Sequence, residues 1–349
     1  MKGPEAVSLP SELTQKERVC RALCHEPVDR FPTQCNYTAL MGQKLADHFK
    51  IPFGDLPARL DNHLLRVDVT HPKRLSEDGR TQFDWWGAGW STETEGYWHS
   101  VAPLAHSTDL GQFPWPDPDA PHLLDGAASS IAAHRQLFAV PNLGMCLFER
   151  AWSLRGFDTL LLDMVETPDW VEHMFDRITD IQVRLAKHFV EIGVNGGYFG
   201  DDYGAQQSML FSPPLWRRLV KPRLARMIAV FRDAGLPVIF HSDGDIRAIL
   251  RDLVEIGVTV LNPVQPEVLD HAWLSRQFGA SLGFYGGIST QTILSQNDSV
   301  AVRRATAECA RQLAPSGTGL LLGPSHRMQS DIPPANVEAM LEAFRQLGV

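Results

Sequence analysis

The residues best equipped for chemistry sit in one short stretch, Leu236-Pro-Val-Ile-Phe-His-Ser-Asp-Gly-Asp245. An apolar run, Val238-Ile239-Phe240, reads as a buried strand. It ends in His241, Ser242, Asp243, Gly244 and Asp245, an imidazole and two carboxylates on a turn. Ile246, Ile249, Leu250, Leu253 and Val254 then recur at helical spacing, so a helix follows. A strand that delivers such groups into the turn before a helix is the junction where α/β barrels keep their active sites. An imidazole beside carboxylates can hold a metal ion or move a proton.

The same junction recurs along the chain. Strands are expected at Phe31–Tyr37, Leu64–Val69, Leu137–Val140, Gly196–Phe199, Val238–Phe240, Val258–Leu261, Ser281–Tyr285 and Gly319–Leu322. Helices are expected between them, including Gln15–His25 behind a Thr14/Glu17 capping box, Ala39–Phe49, Leu215–Ala234, and a last one from Pro333-Pro334 to Leu347. No G-x-G-x-x-G follows a strand. The pattern predicts an α/β fold, a (β/α)8 TIM barrel, as one domain over residues 13–349 behind an N-terminal arm, 1–12.

In a barrel, strand C-termini converge on one mouth. There the chain places Glu149 and Arg150 in the loop after the third strand, Asp201, Asp202 and Tyr203 after the fourth, and His241, Asp243 and Asp245 after the fifth. Asn262 and Gln265 follow the sixth, Gly286 and Gly287 end the seventh, and Ser325, His326 and Arg327 follow the eighth. Asp201 can equally bind loop amides, Asp245 can cap the next helix, and Glu149-Arg150 can be a plain ion pair. Between Phe83 and Trp115 lie Trp85, Trp86, Trp90, Tyr97, Trp98 and Trp115 among many Gly, Thr and Ser. This predicts an irregular β excursion after the second strand, either packing on the barrel or presenting flat aromatic surface to a planar substrate.

Bulk properties narrow the partners. A net charge of −9, with scattered basic residues, argues against nucleic acid or an anionic membrane. Five cysteines without a metal-type repeat, and a polar start from Met1 to Glu12, predict a cytoplasmic protein with free thiols. No apolar run approaches membrane-spanning length.

Several segments together resemble the uroporphyrinogen decarboxylase superfamily, which also contains cobalamin-dependent methyltransferases. They are Thr14-Gln-Lys-Glu-Arg-Val19, Glu26-Pro-Val-Asp-Arg30, Phe148-Glu-Arg-Ala-Trp-Ser-Leu-Arg-Gly-Phe157, Gly200-Asp-Asp-Tyr-Gly204, the His241 motif, Asn262-Pro-Val-Gln265 and Pro334-Ala-Asn-Val337. The resemblance covers nearly all of the chain. The decarboxylase carries an Arg-Gln-Ala-Gly-Arg segment near its start that holds the substrate's carboxylates; here Phe31-Pro-Thr-Gln-Cys-Asn-Tyr37 has no arginine. The methyltransferase branch holds zinc through His-x-Cys and a second Cys; here His241-Ser-Asp243 and Gly323-Pro-Ser-His326 stand in those places.

The resemblance therefore implies an O-demethylase-like methyltransferase that moves a methyl group from a methoxylated, aromatic donor to the cobalamin of a partner corrinoid protein. Its implied catalytic groups are His241, Asp202 and His326, with zinc on His241, Asp243 and His326. Trp85, Trp86, Glu149, Tyr203 and Gln265 are the implied substrate-binding residues. No Asp-x-His-x-x-Gly corrinoid motif occurs here, so the cobalamin must arrive with the partner. A decarboxylase, a quaternary-amine methyltransferase and a non-catalytic ligand-binding barrel are the alternatives, and a homodimer is left open.

Overall fold

The structure, a computed structural model, describes residues 12–96 and 98–347. The expected arm lies almost entirely outside the described residues. The chain forms a mixed α/β fold with parallel sheets, divided into two compact units. One holds the chain up to Leu64, 135–138 and Pro263 onward; the other holds Leu65–His134 and Ala139–Asn262. No helix of the described residues is long and apolar enough to cross a membrane.

In the first unit, Thr14 caps the helix Gln15–Leu23 in a reciprocal box with Glu17, as its sequence predicts, and Val19, Ala22 and Leu23 are buried. Thr38 caps Ala39–Phe49. The strands Gly283–Ile288 and Leu320–Pro324 run parallel, and the helices Ser299–Leu313 and Pro334–Gln346 complete this part. The strand at 283–288 passes through Gly286 and Gly287 and does not end at them. A Cβ on Gly286 would lie 2.4 Å from the Pro263 carbonyl oxygen, so only glycine lets these backbones touch.

The expected first strand is corrected. Residues 31–37 make only isolated parallel bridges, Thr33 with Leu322 and Tyr37 with Met328. Backbone bonds close the bridges, the Gln34 amide to the Leu322 carbonyl (3.0 Å) and the Leu322 amide to the Pro32 carbonyl (2.8 Å) among them, and between the bridges the Cys35 amide donates to Asn62 Oδ1 (2.7 Å) while the Asn62 side-chain amide donates back to the Cys35 carbonyl (3.1 Å). Gln34 Oε1 likewise accepts from the Leu64 amide at 2.9 Å. Backbone groups need partners but not strand partners.

Beside this segment, the fully buried His63 accepts from Arg18 Nη1 at Nε2 (3.1 Å), while Arg18 is held by Asp29 at 2.6 Å. Burial pushes the His63 pKa down from 6.5 to about 4. The folded state thus disfavours the charged ring, so this contribution to stability is complete above pH 6.5 and is lost as pH falls towards 4. It amounts to on the order of 3 kcal/mol. Urea unfolding at pH 7 and pH 4.5 should show a steeper loss for the native chain than for His63→Gln; parallel losses would assign the pH dependence elsewhere.

The second unit carries three consecutive parallel strands, Gly197–Gly200, Val238–His241 and Val260–Asn262, in register Gly200–His241–Asn262. Their apolar residues are fully or almost fully buried. The 24-residue helix Pro168–Glu191 turns Met174, Phe175, Ile178, Ile181, Leu185 and Phe189 inward, as their spacing predicts. Residues 215–234 form two helices and not one, Pro213–Leu219 and Lys221–Asp233. Pro222 has no N–H to continue the first of them.

The tryptophan-rich excursion is a four-stranded antiparallel sheet, in the order Arg74–Leu75, Thr81–Phe83, Gly89–Ser91, His99–Val101. Trp90, His99 and Trp152 meet edge to face with centroids 5.3–6.1 Å apart, and His99 bonds the Ser153 carbonyl at 2.7 Å. These contacts seat the sheet on the helix Phe148–Arg155.

Candidate active site

The side-chain cluster and the loops that hold it lie within the second unit. Its polar groups stand at the ends of the strands Gly197–Gly200 and Val238–His241. Two loops leave those ends side by side, Asp201 to Gly204 and Ser242 to Asp245, and they touch backbone to backbone. The Asp245 amide donates to the Ala205 carbonyl at 2.8 Å, the Asp201 amide to the His241 carbonyl at 3.0 Å, and the Tyr203 amide to Ser242 Oγ at 3.0 Å. Gly204 and Gly244 face each other at this seam, and a Cβ on either would fall 2.4–2.6 Å from the other loop's backbone.

The seam brings Asp202, His241 and Asp243 together. Asp202 Oδ1 accepts the Asp243 amide at 2.8 Å and lies 3.8 Å from His241 Nε2; Asp243 Oδ1 lies 3.9 Å from the same nitrogen. One donor atom from each lies within 4.8 Å of the others, and the side chains keep 22–33% exposure, so solutes reach them. Asn262 Oδ1 accepts from His241 Nδ1 at 2.6 Å and from the Tyr198 hydroxyl at 2.9 Å. With Nδ1 carrying the proton, Nε2 turns its lone pair towards the two carboxylates.

This set fits a divalent cation. Two oxygens within 4 Å of an imidazole nitrogen need only small adjustments for all three to reach a shared cation at about 2.1 Å. The set draws on Asp202 where the sequence predicts His326 as the third ligand. His326 follows Leu320–Pro324 in the other unit and is exposed, with Nδ1 3.2 Å from the Arg327 carbonyl. Gln265 also belongs to that unit and is buried.

Asp201 acts differently from its neighbour. Its carboxylate accepts from the Phe148 amide (2.7 Å), the Glu149 amide (2.8 Å) and the Tyr203 hydroxyl (2.8 Å). The helix Phe148–Arg155 has no side-chain cap of its own, and Asp201, 53 residues past Phe148, supplies one. Complete burial lifts its pKa to about 7 against these donors, which favour the charged form. Asp201→Asn places an amide group opposite three donors, and a loss of roughly 2–4 kcal/mol is expected in chemical denaturation. Unchanged stability would show that the three bonds are not formed.

Glu149 therefore sits in the first turn of a helix, a correction to its expected place in a loop. Burial, then the neighbouring Asp202, Asp201 and Asp243, push its pKa well above the usual carboxylate range, so its neutral form is favoured. Arg150 does not pair with Glu149. It reaches Asp84 at 2.5 Å and lies 5.1 Å over the Trp86 ring. Trp86 is thus covered, 6% exposed, while Trp85 is partly exposed and meets Trp86 edge to face.

Tyr203 is corrected as well. It is fully buried, stacked on Phe240 at 5.9 Å and bonded to Asp201, so it supports the loop and does not face a substrate. Asp245 holds Arg247, accepting its amide at 3.1 Å and its side chain at 2.9 Å, ahead of a short 3-10 turn, Arg247–Ile249, and the helix Leu250–Ile256. Sequence reasoning missed Tyr198 and Arg66, whose guanidinium lies 4.2 Å over the Tyr198 ring. Both read as ordinary strand residues.

Comparison with known proteins adds the following. A search of curated proteins found no match to this sequence. Among solved structures, a methyltransferase from Methanosarcina mazei superposes with a TM-score of 0.71 at 19% identity, over 96% of this chain and 99% of that one. A B12-independent methionine synthase from Shewanella sp. W3-18-1 superposes at 0.42 with 9% identity, over 88% of this chain and 86% of that one. The first shows a shared fold. The family model for uroporphyrinogen decarboxylase (URO-D) matches residues 144–347, a stretch that holds Glu149, Asp201, Asp202, His241, Asp243 and Asn262. That match spans more than half of the sequence, and the chain belongs to the uroporphyrinogen decarboxylase family.

Proposed function

We propose that this chain is a methyltransferase that takes a methyl group from a methoxylated, aromatic substrate and passes it to the cobalamin of a partner corrinoid protein. The observation that carries the reading is the Asp202–His241–Asp243 cluster, a donor set of oxygen and nitrogen without thiolate. The likeness in fold to a methyltransferase supports it. The (β/α)8 architecture expected from the strand–helix repeats is part of the same reading.

A divalent cation such as zinc, held by Asp202, His241 and Asp243, would polarise the methoxy oxygen as a Lewis acid. Hard donors suit an ether or phenolic oxygen better than a thiol. Asn262 keeps His241 in the tautomer whose Nε2 lone pair faces the carboxylates and can ligate. Glu149, whose neutral form is favoured by burial beside Asp202, would supply a proton to the oxygen that loses its methyl group, so that the leaving group departs neutral. Trp85, partly exposed in the same unit, is the aromatic side chain this reading assigns to the donor. The small-molecule donor, the corrinoid partner and a cytoplasmic setting belong to this reading.

The test is methyl transfer to free or protein-bound cob(I)alamin from a panel of methoxylated benzenes, with zinc present or chelated. Metal-dependent formation of methylcobalamin is expected. Loss of a carboxylate from uroporphyrinogen, without methyl transfer, would assign the decarboxylase activity instead.

A further inference from the structure

Three neighbouring parallel strands bring Tyr198, His241 and Asn262 together within the second unit. Gly200, His241 and Asn262 pair across the ladder, and Tyr198 stands two residues before Gly200, on the same face of the sheet. The tyrosine spans the middle strand, and its hydroxyl donates to Asn262 Oδ1 at 2.9 Å. The same oxygen accepts from His241 Nδ1 at 2.6 Å. Tyr198 and Asn262 are both buried.

A neutral imidazole carries its proton on one nitrogen, and the surroundings of His241 pull it both ways. Asp202 and Asp243, 3.8 and 3.9 Å from Nε2, attract a proton there, where it would block the nitrogen a cation needs. Asn262 draws it to Nδ1, but only while Oδ1 faces the ring. A carboxamide turned end for end has nearly the same shape and presents an N–H instead, which sends the imidazole proton to Nε2. The tyrosine opposes that turn, because its hydroxyl donates to the oxygen and would lose its acceptor. The Arg66 guanidinium, 4.2 Å over the Tyr198 ring, adds to this: a positive charge beside a phenol makes its hydroxyl a better donor and a poorer acceptor.

We infer that Tyr198 is a positioning residue for the cation site: its hydroxyl fixes the Asn262 amide and, through it, the tautomer that leaves His241 Nε2 bare. The use of that nitrogen by a metal rests on the methyltransferase reading; the tautomer does not, and it is tested without metal.

The experiment reads the His241 tautomer by nitrogen NMR of the full chain, labelled at its histidine rings and metal-free, at about pH 8.5, where an ordinary imidazole is neutral. The His241 signal is the one missing from His241→Ala. Zinc affinity of the same samples is then measured against a competing chelator. Native protein is expected to hold the proton on Nδ1, a readout that needs no variant. Tyr198→Phe keeps the ring under Arg66 and removes one hydrogen bond, so the share protonated on Nε2 should rise, and zinc affinity fall, by about 5- to 10-fold each. In an Asn262→Leu background the same change should move affinity by less than about 2-fold, because a residue that acts only through Asn262 has nothing left to act on. Lost packing would instead cost the same in both backgrounds. A proton on Nε2 in native protein, an unchanged tautomer in Tyr198→Phe, or an equal loss of affinity in both backgrounds overturns the inference. Native protein that keeps the proton on Nδ1 and binds no zinc counts against the methyltransferase reading alone.

Discussion

Replacing His241 by alanine is expected to abolish both metal retention and methyl transfer while leaving the fold intact. His241 ends its strand with the ring partly exposed, so truncation costs less packing than at the fully buried positions before it. It does remove the only nitrogen of the cluster and leaves Asp202 and Asp243 facing each other without a base. Zinc affinity should fall by more than about 100-fold, since even the group that orients a ligating histidine is worth about 10- to 100-fold. Metal content after dialysis, read together with the melting temperature, checks this. Asn262→Leu is the graded companion: it removes the acceptor of the Nδ1 proton and should cost the smaller amount. Stoichiometric zinc in His241→Ala would move the metal site elsewhere. Turnover without metal in the native protein, lost in His241→Ala, would make His241 an acid–base group.

The second large effect is expected at Gly244. This residue holds φ +77, and a Cβ there would lie 2.4 Å from both the carbonyl carbon and oxygen of Gly204 and 2.7 Å from the Ala205 carbonyl oxygen. Gly244→Ala must push the two loops apart. That breaks the seam which sets Asp202 beside Asp243, so cation binding and stability should fall together. Gly235 provides the control, because it has a similar φ of +72 and nothing within 4 Å of the place a methyl group would take. Gly235→Ala should cost only the left-handed backbone strain, about 1–2 kcal/mol. Gly244→Ala should exceed that by at least ~2 kcal/mol in urea unfolding. Equal losses would show that the loops part without penalty.

Both predictions concern residues that stand close together in the sequence, and this is why so much of the site was legible there. His241 and Asp243 follow a short apolar strand, and Asp201 and Asp202 follow another. The alternation of apolar runs with helical spacing needs no tertiary information, because burial acts on each element through its own period. Capping at Thr14 was equally plain, since the box closes within three residues.

Partner choice was a different matter, because it depends on what arrives from elsewhere in the chain. Adjacent aspartates took opposite tasks: Asp201 caps a helix 53 residues upstream and is fully buried, while Asp202 stays open to solvent beside His241. Nothing in an Asp-Asp pair distinguishes them. Tyr203 went into the core and Trp86 under Arg150, so their rings are spent on packing. Residues 31–37 form bridges and no continuous strand, because between the bridges the Asn62 side chain satisfies both backbone groups of Cys35. The chain's order of strand, turn and helix determined which residues stand at strand ends. Only the tertiary structure decided which of them face one another, because charge, hydrogen bonding and desolvation act through distances of a few ångströms that the linear sequence does not contain.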